Sequence, residues 1–600
     1  MIRVSDYIVS FLYKAGVHDM FVITGGGSMY LNDALACHNK MRYVCQHHEQ
    51  SCAIAADAYA RVREGIGAAM VTTGPAATNA ITGVLSGWFD SIPFFVISGQ
   101  VKRKEATYNS KIPGFRQMGV QELNIIPLVE SITKYSITVN DPLKIRFILE
   151  EALYMATSGR PGPVWIDVPA DVQNTMIDPM QLDGFHKPEN PELLSLKELK
   201  QNCAFVLKRI QKARKPLIVA GNGIRCAHAQ NEFLTLVNKL GIPFVTSNMA
   251  VDLLDYNHVS NIGMGGIKGQ RAANIALQHA DVLISIGNRL SVPFIGYEYE
   301  KFAPKAEKIV VDIDPTDHKK KTIHIDTFIQ ADAKAFITEM IRISKVIHMS
   351  FSSKWLRTCF ELKQTYPVCL PQYSKEKGEM NMYVAVDEIT SHLNNKDVII
   401  ADAGSAYYVV PQVCKIKMGQ RLIIPGGAAN MGYNLPASVG ASIGLGKKRI
   451  ICITGDGSFQ SSIHELQTIT HHKLPVKIFV MNNGGYLSIR NTQRVFFENR
   501  KMGESKQSGL TFPDLKKIAY AYDIQYFDIK NIKDMHTYLP KILQSKAPVI
   551  CNVHCKIEQE IIPSVSSKKL PDGTMVSTSI DDMYPFLNQD EMDSIHKRLE

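Results

Sequence analysis

This 600-residue sequence predicts an α/β fold of three doubly wound domains, each a parallel sheet with helices on both faces. Two observations carry that expectation. A chain of this length exceeds a single hydrophobic core, at roughly 100–200 residues per domain. In each third, continuous apolar runs of strand length alternate with helical stretches, whereas a half-exposed antiparallel sheet would alternate apolar with polar residues. The expected domains are residues 1–175, 190–350 and 375–560, with 561–600 as a C-terminal tail.

In the first third the strands are "MFVIT", "AAMVTT", "FFVISG" and "PVWIDV". Between the first two lies "CQHHEQSCAIAADAYAR", residues 45–61, where two histidines and Glu49 precede a run of alanines. Alanine is the best helix former and lets a helix lie close to its neighbours, so Glu49 is expected at the N-terminal end of a closely packed helix. A proline-bearing polar tract from about 171 to 195 reads as a linker. The middle unit carries "KPLIVAGNGIR", "DVLISIGNRL" and "KIVVDIDP". Its Gly221-Asn222-Gly223 turn lacks a third glycine, so a dinucleotide site and a plain strand-to-helix turn both remain open. A second linker is expected around "LKQTYPVCLPQYSKEKGEM", and the last unit has strands at "DVIIADAGS", "RIICITGDGS", "VKIFVMNNGG" and "PVICNV".

Composition narrows the function. The net charge of +10 comes from 67 basic and 57 acidic residues spread along the chain, which argues against nucleic-acid binding. The 11 cysteines are scattered without a CxxC pair. With no signal peptide pattern in "MIRVSDYIVSFLYKAGV" and no apolar run long enough to span a bilayer, the expected setting is the cytoplasm, without membrane attachment.

The stretch "GDGSFQSSIHELQTITHHKLPVKIFVMNNGGY", residues 455–486, carries the chemistry. It reads as a strand ending in Gly-Asp-Gly, a helix from about Ser461 to His471, and a strand ending in Asn-Asn-Gly-Gly. Both loops then emerge at the carboxyl edge of one parallel sheet, where open α/β folds bind ligands. One carboxylate, one amide oxygen and a backbone carbonyl are too few to enclose an ion but suit Mg²⁺ that also takes phosphate oxygens and water. The glycines let backbone approach a phosphate.

These motifs resemble those of thiamine-diphosphate enzymes. Through "HHEQSCAIAADAYAR", "TTGPAATNAITG", "GRPGPVWIDVP", "ANMGYNLPASVGAS" and "GDGSFQSSIHELQT", almost the whole chain is similar to the acetolactate synthase branch of that family. The resemblance implies pyrimidine-binding, central and diphosphate-binding domains. It also implies that Asp456, Asn483 and the carbonyl of Gly485 hold Mg²⁺, and that Gly404, Ser405, Gly457 and Ser458 touch the diphosphate. Glu49 matches the glutamate that bonds N1′ of the aminopyrimidine and favours the tautomer whose 4′-nitrogen is the internal base. Met431 falls at the apolar wedge under the bent cofactor, core filling being its other reading. The Ala429 carbonyl would accept from the 4′-amino group, where relatives often carry glycine. Gln121 occupies the family's active-site glutamine position, and Gly26 matches a glycine lying against the thiazolium, although "GGG" replaces the usual Pro-Gly-Gly.

The implied reaction is decarboxylation of a 2-keto acid, pyruvate first, with carboligation to a carbonyl acceptor, in a homodimer or homotetramer whose sites lie between chains. FAD is a further cofactor that the resemblance allows, although "RLSVPFIGYEYE" replaces the family's Arg-Phe-Asp-Asp-Arg stretch. His48, Arg490 and Thr492 are the candidate substrate contacts. Thr492 stands where the family places a pocket-narrowing tryptophan, and Val120 where it places phenylalanine, so the acceptor is expected to be larger than pyruvate, a keto-sugar being the leading guess. The rival readings are a simple decarboxylase, an inactive assembly subunit and an NAD-binding oxidoreductase.

Overall fold

The structure, a computed structural model, describes residues 1–188, 194–345, 353–569 and 575–599. It contains three six-stranded sheets, and every strand pair of known register in them runs parallel. The first sheet is ordered Arg42–Cys45, Asp19–Val22, Gly67–Val71, Phe94–Gln100, Val164–Pro169, Tyr135–Thr138. Numbered along the chain, that order is 2-1-3-4-6-5. The last sheet repeats it with Arg421–Ile423, Val398–Ala401, Ile450–Gly455, Val476–Asn482, Val549–His554 and Gln525–Ile529. The middle sheet instead runs 3-2-1-4-5-6, from Asn261–Met264 through Phe244–Thr246, Pro216–Ala220, Val282–Ile286 and Glu307–Asp312 to Thr327–Gln330. In every sheet the strand order reverses beside its first strand, which opens a crevice at the carboxyl ends of the two strands flanking that point.

The chain forms two compact units. One contains residues 1–189, 398–406 and 423–554, hence the first and last sheets; the other contains 190–397, 407–422 and 555–600, hence the middle sheet. Two expected boundaries shift accordingly. Met382–Ser391 forms a helix of the central unit rather than the start of the last domain, because its Met382 N–H and Tyr383 hydroxyl bond Gln559 and Gln412 of that unit. The first linker begins as structure too: Met176–Ile177 pairs antiparallel with Ile2–Arg3. Part of that linker, 189–193, lies outside the described residues.

The alanine run does what its composition implies. In the helix Glu49–Arg63 every residue from Ser51 to Arg61 is buried. The neighbours are close enough that a Cβ on Gly440, in the helix Asn434–Gly444, would lie 2.0 Å from the carbonyl oxygen of Ala55, and one on Gly67 would lie 2.1 Å from that of Ala56. Only small residues permit that approach, and it joins the first and last sheets into one apolar core. A buried ion cluster pins the same junction. Arg61 bonds Asp57, Asp90 (2.7 Å) and the Ile424 carbonyl, while Asp57 also accepts from the Tyr433 hydroxyl. Asp90 in turn accepts from the N–H groups of Gly426 and Gly427, so the loop ahead of Met431 is held against the first domain. Removing one partner of such a cluster strands a buried charge, at a cost of about 3–5 kcal/mol.

Candidate active site

In the last sheet the reversal falls between Val398–Ala401 and Ile450–Gly455. Their following loops, "DAGS" and "DGS", therefore flank the crevice, and the loop after Val476–Asn482 lies beside them. Asp456 opens a short helix, Asp456–Ser461, and accepts from Gly457 N–H at 2.8 Å and from Gly485 N–H at 3.0 Å. Burial pushes its carboxyl up to about 6, against the pull of the backbone N–H groups of residues 457 and 483–485. Beside it Asn483 is buried, and its Oδ1 has no hydrogen-bond partner. A buried carboxylate next to an amide oxygen without a protein partner is a donor pair of the kind a hard cation takes.

The expected single helix from Ser461 to His471 is broken into Asp456–Ser461 and Glu465–His471. Ser462 is drawn inward, where its hydroxyl donates to Asn434 Oδ1 at 3.0 Å, which interrupts the helix between them. Gly404 is in the left-handed region at φ 71°, and the nearest atom a Cβ there would meet is Ser488 Oγ at 3.9 Å. Ser405 opens the helix that follows. Ser488 Oγ is itself buried without a partner, so this hydroxyl borders the same crevice. Ser488 belongs to none of the sequence motifs, and its place three residues after Gly485 is the one signal the sequence holds for it.

The loop Pro425–Met431 supplies backbone to this region. Ala429 sits at φ 47°, a left-handed conformation that costs an alanine about 1 kcal/mol and a glycine nothing, which is why glycine suits this position. Met431 is 37 % exposed, so filling the core is not its role. Its neighbour Gly432 donates its N–H to Ser458 Oγ at 3.0 Å, and that hydroxyl donates to the buried carboxylate of Asp402. Ser458 thus ties the Met431 turn to the first crevice loop through its hydroxyl.

In the first sheet the reversal lies between Asp19–Val22 and Gly67–Val71, whose loops are the triple glycine and "TTG". Gly25 and Gly27 press against Thr72 and Thr73, while a Cβ on Gly26 would meet nothing within 4 Å, so Gly26 faces open space. Glu49 is the first residue of its helix, half-buried, and its Oε2 accepts from Asn79 Nδ2 at 2.9 Å. Asn79 lies on the helix Pro75–Asp90, whose cap, Gly74, abuts the carbonyl of Gln121. Gln121 is exposed and held at φ 59°, strain of a kind that clusters at functional sites. Glu49, Asn79 and Gln121 therefore share the surroundings of one helix start. Glu465, buried in the last domain, accepts from Gln46 and from His47 N–H and so sets the approach to Glu49.

Three domain models match the chain: Thiamine pyrophosphate enzyme, N-terminal TPP binding domain at residues 2–128, central domain at 203–340, and C-terminal TPP binding domain at 402–553. The acetolactate synthase large subunit of Cyanidium caldarium is 30 % identical over 94 % of each chain, and that of Buchnera aphidicola subsp. Schizaphis graminum 31 % identical over 86 % of this chain and 88 % of its own. This chain belongs to the thiamine pyrophosphate enzymes, in their acetolactate synthase-like branch. Acetolactate synthase, chloroplastic, of Arabidopsis thaliana is 29 % identical over 94 % of this chain and 83 % of its own.

The residues present fit what such an enzyme binds. Asn483 Oδ1 and the buried Asp456 carboxylate are oxygens of the kind a metal takes, the partnerless Ser488 hydroxyl is a donor of the kind a diphosphate takes, and Gly26 leaves room of the kind a ring takes. Other sequence expectations are redirected. Arg490 is fully buried, with Nε 2.6 Å from Glu504 and Nη1 on the Asn483 carbonyl, so it braces the Asn483 loop and does not present a donor to substrate. Thr492 is exposed, and its hydroxyl donates to the Ser488 carbonyl, so it offers room and a lone pair but no free proton. His48 caps its helix, with Nδ1 accepting from Gln50 N–H, which leaves Nε2 as the proton-bearing nitrogen. In the central unit the Gly221 turn has a structural explanation: a Cβ on Gly221 would lie 2.0 Å from Gly287 O, and that oxygen already takes the Gly223 N–H a pyrophosphate would need. No helix of the described residues is long and apolar enough to cross a membrane.

Proposed function

We propose that this enzyme decarboxylates a 2-keto acid, pyruvate first among candidates, and joins the remaining acyl unit to the carbonyl carbon of an acceptor. The observation that carries this reading is the pair of half-sites at two sheet crevices, one rich in metal and phosphate donors and the other built around Glu49. When bound, thiamine diphosphate supplies the carbon nucleophile and the electron sink. Asp456, Asn483 and the Gly485 carbonyl hold Mg²⁺; Gly404, Ser405, Gly457 and Ser488 line the diphosphate. Glu49 would hold a proton at N1′, the Ala429 carbonyl would accept from the 4′-amino group, Met431 would pack under the cofactor, and Gln121 with His48 would face the substrate. The apolar side chains Met431 and Ile489 beside the crevice would limit water there, which would favour carbon–carbon bond formation over simple release of an aldehyde.

Completion of each site by a second copy of the chain is supported by the apolar surface around both half-sites. Met29, Met118 and Val120 on one side, and Met431, Ile489 and Phe496 on the other, are exposed. Mixing inactive Glu49→Gln and Asp456→Ala proteins under subunit-exchange conditions should then restore activity, because one interface site of the mixed dimer has both residues intact. No recovery despite demonstrated exchange would place each site within one chain.

The acceptor reading rests on two small side chains. Valine and threonine stand at positions 120 and 492 where the family carries phenylalanine and tryptophan, which leaves less bulk over a second substrate. That room suits a keto-sugar, nucleotide-linked or free, better than a second pyruvate. Mass spectrometry of products and kcat/KM for pyruvate self-condensation against a 4-keto-sugar nucleotide, in wild type and Thr492→Trp, test it. The tryptophan should lower the sugar reaction about tenfold or more relative to pyruvate. A wild type that prefers pyruvate, with that preference unmoved by the tryptophan, means acetolactate is the product.

A further inference from the structure

The central unit holds a cluster for which the reaction has no use. His279 ends the helix Arg271–His279, Asp581 sits in a turn near the C-terminus, and His596 lies on the final helix, Gln589–Leu599. One ligand atom from each lies within 4.8 Å of the other two, the one such three-residue group among the described residues. The Nε2 atom of His279 is buried without a hydrogen bond, although it stands only 3.5 Å from Asp581 Oδ2. The two imidazole rings are 5.0 Å apart.

Each arm of the cluster is anchored independently. Asp581 Oδ1 takes the Ser579 hydroxyl at 2.5 Å, which leaves Oδ2 for the histidines. Asn274 bonds the Ile580 carbonyl at 2.8 Å, and Arg271 bonds the carbonyls of Met583 and Pro585, so the segment carrying Asp581 is fixed to the helix carrying His279. Ile595 and Leu599 are buried in the apolar cluster that includes Trp355 and Cys359, and this sets the position of His596. The site also lies at a helix C-terminus, where the backbone carbonyls favour positive charge.

We propose that His279, Asp581 and His596 bind Zn²⁺ and so clasp residues 579–599 onto the central unit. Two imidazoles and one carboxylate form a donor set for Zn²⁺ rather than for Mg²⁺ or Ca²⁺, which prefer all-oxygen shells. Ligands on bonds of about 2.0 Å around a tetrahedral ion stand roughly 3.3 Å apart, so side-chain rotations of about an ångström close the cluster, with water as the fourth ligand. At 3.5 Å the His279–Asp581 pair is long and charged only if the imidazole is protonated, whereas the convergence of a second imidazole on the same carboxylate is what a shared metal accounts for. The site is separate from the Asp456 metal loop, which belongs to the other unit.

The test uses the full chain, stripped with EDTA, refilled with Mg²⁺ and thiamine diphosphate, and titrated with Zn²⁺. One Zn²⁺ per chain should survive gel filtration in the wild type and in Asp456→Ala. Affinity should fall at least about tenfold in Asp581→Asn and His596→Gln. Co²⁺ in place of Zn²⁺ should give visible d–d absorption that those variants lack, and Zn²⁺ should slow tryptic cleavage at Lys597 and Arg598 only when the three ligands are intact. Melting without Zn²⁺ checks that His596→Gln is folded. No Zn²⁺ retained by the wild type, or equal retention and protection in His596→Gln, overturns the site.

Discussion

Replacing Glu49 by glutamine should leave the protein folded and able to retain thiamine diphosphate with Mg²⁺, yet slow exchange of the cofactor's C2 proton by about 10²–10⁴-fold. The fold is spared because glutamine keeps an acceptor oxygen for Asn79, so the 2.9 Å bond survives, and the buried part of the helix begins only at Ser51. What glutamine cannot do is carry the proton that a carboxyl group holds at N1′. H/D exchange at C2 of the bound cofactor reads this directly, and kcat should fall in parallel. An exchange rate equal to that of the wild type removes Glu49 from the proton path.

Asp456→Ala should abolish metal-dependent retention of the cofactor, weakening it well beyond about 100-fold, since loss of a group merely bonded to a ligand already costs 10–100-fold. The free chain should tolerate the change. Asp456 is buried and its carboxyl is pushed up to about 6, so without a cation the charge burdens the fold and alanine relieves it. Melting separates the two effects. Thiamine diphosphate plus Mg²⁺ at about 100 times Kd should stabilise the wild type by about 2.7 kcal/mol and leave the variant unmoved. Dialysis of the wild type against EDTA should inactivate it, with recovery only when both cofactor and Mg²⁺ return. Full activity in a preparation freed of both would falsify the cofactor assignment.

Much of this was legible in the sequence because it is local. Apolar runs of strand length separated by helical stretches specify parallel sheets whatever surrounds them, and three such sheets are present. Asp456 and Asn483 are 27 residues apart, but strand, helix and adjacent strand bring their loops to one edge, so Gly-Asp-Gly and Asn-Asn-Gly-Gly could be paired on sight. The alanines after Glu49 announced a close-packed helix for a similarly local reason, their size. Boundaries were less legible: nothing in "MYVAVDEITS" shows that its helix joins the central unit, because Gln412 and Gln559, which capture it, lie far along the chain.

What only the tertiary structure decided is which polar groups are left over. Arg490 reads as an available donor until Glu504, 14 residues on, is found to hold it, and the Ser458 hydroxyl is taken by Asp402, 56 residues earlier. Ser488, unremarkable in sequence, is left with a buried hydroxyl that has no protein partner, and His279 meets Asp581 and His596 from more than 300 residues away. Gly221 and Gly223 look like a nucleotide turn until Gly287 fills the space against them. The physical reason is common to all of these. A side chain's chemistry is read from its type, but its availability depends on which distant segment satisfies or buries it, and a buried polar atom left without a partner is costly enough to mark where a ligand belongs.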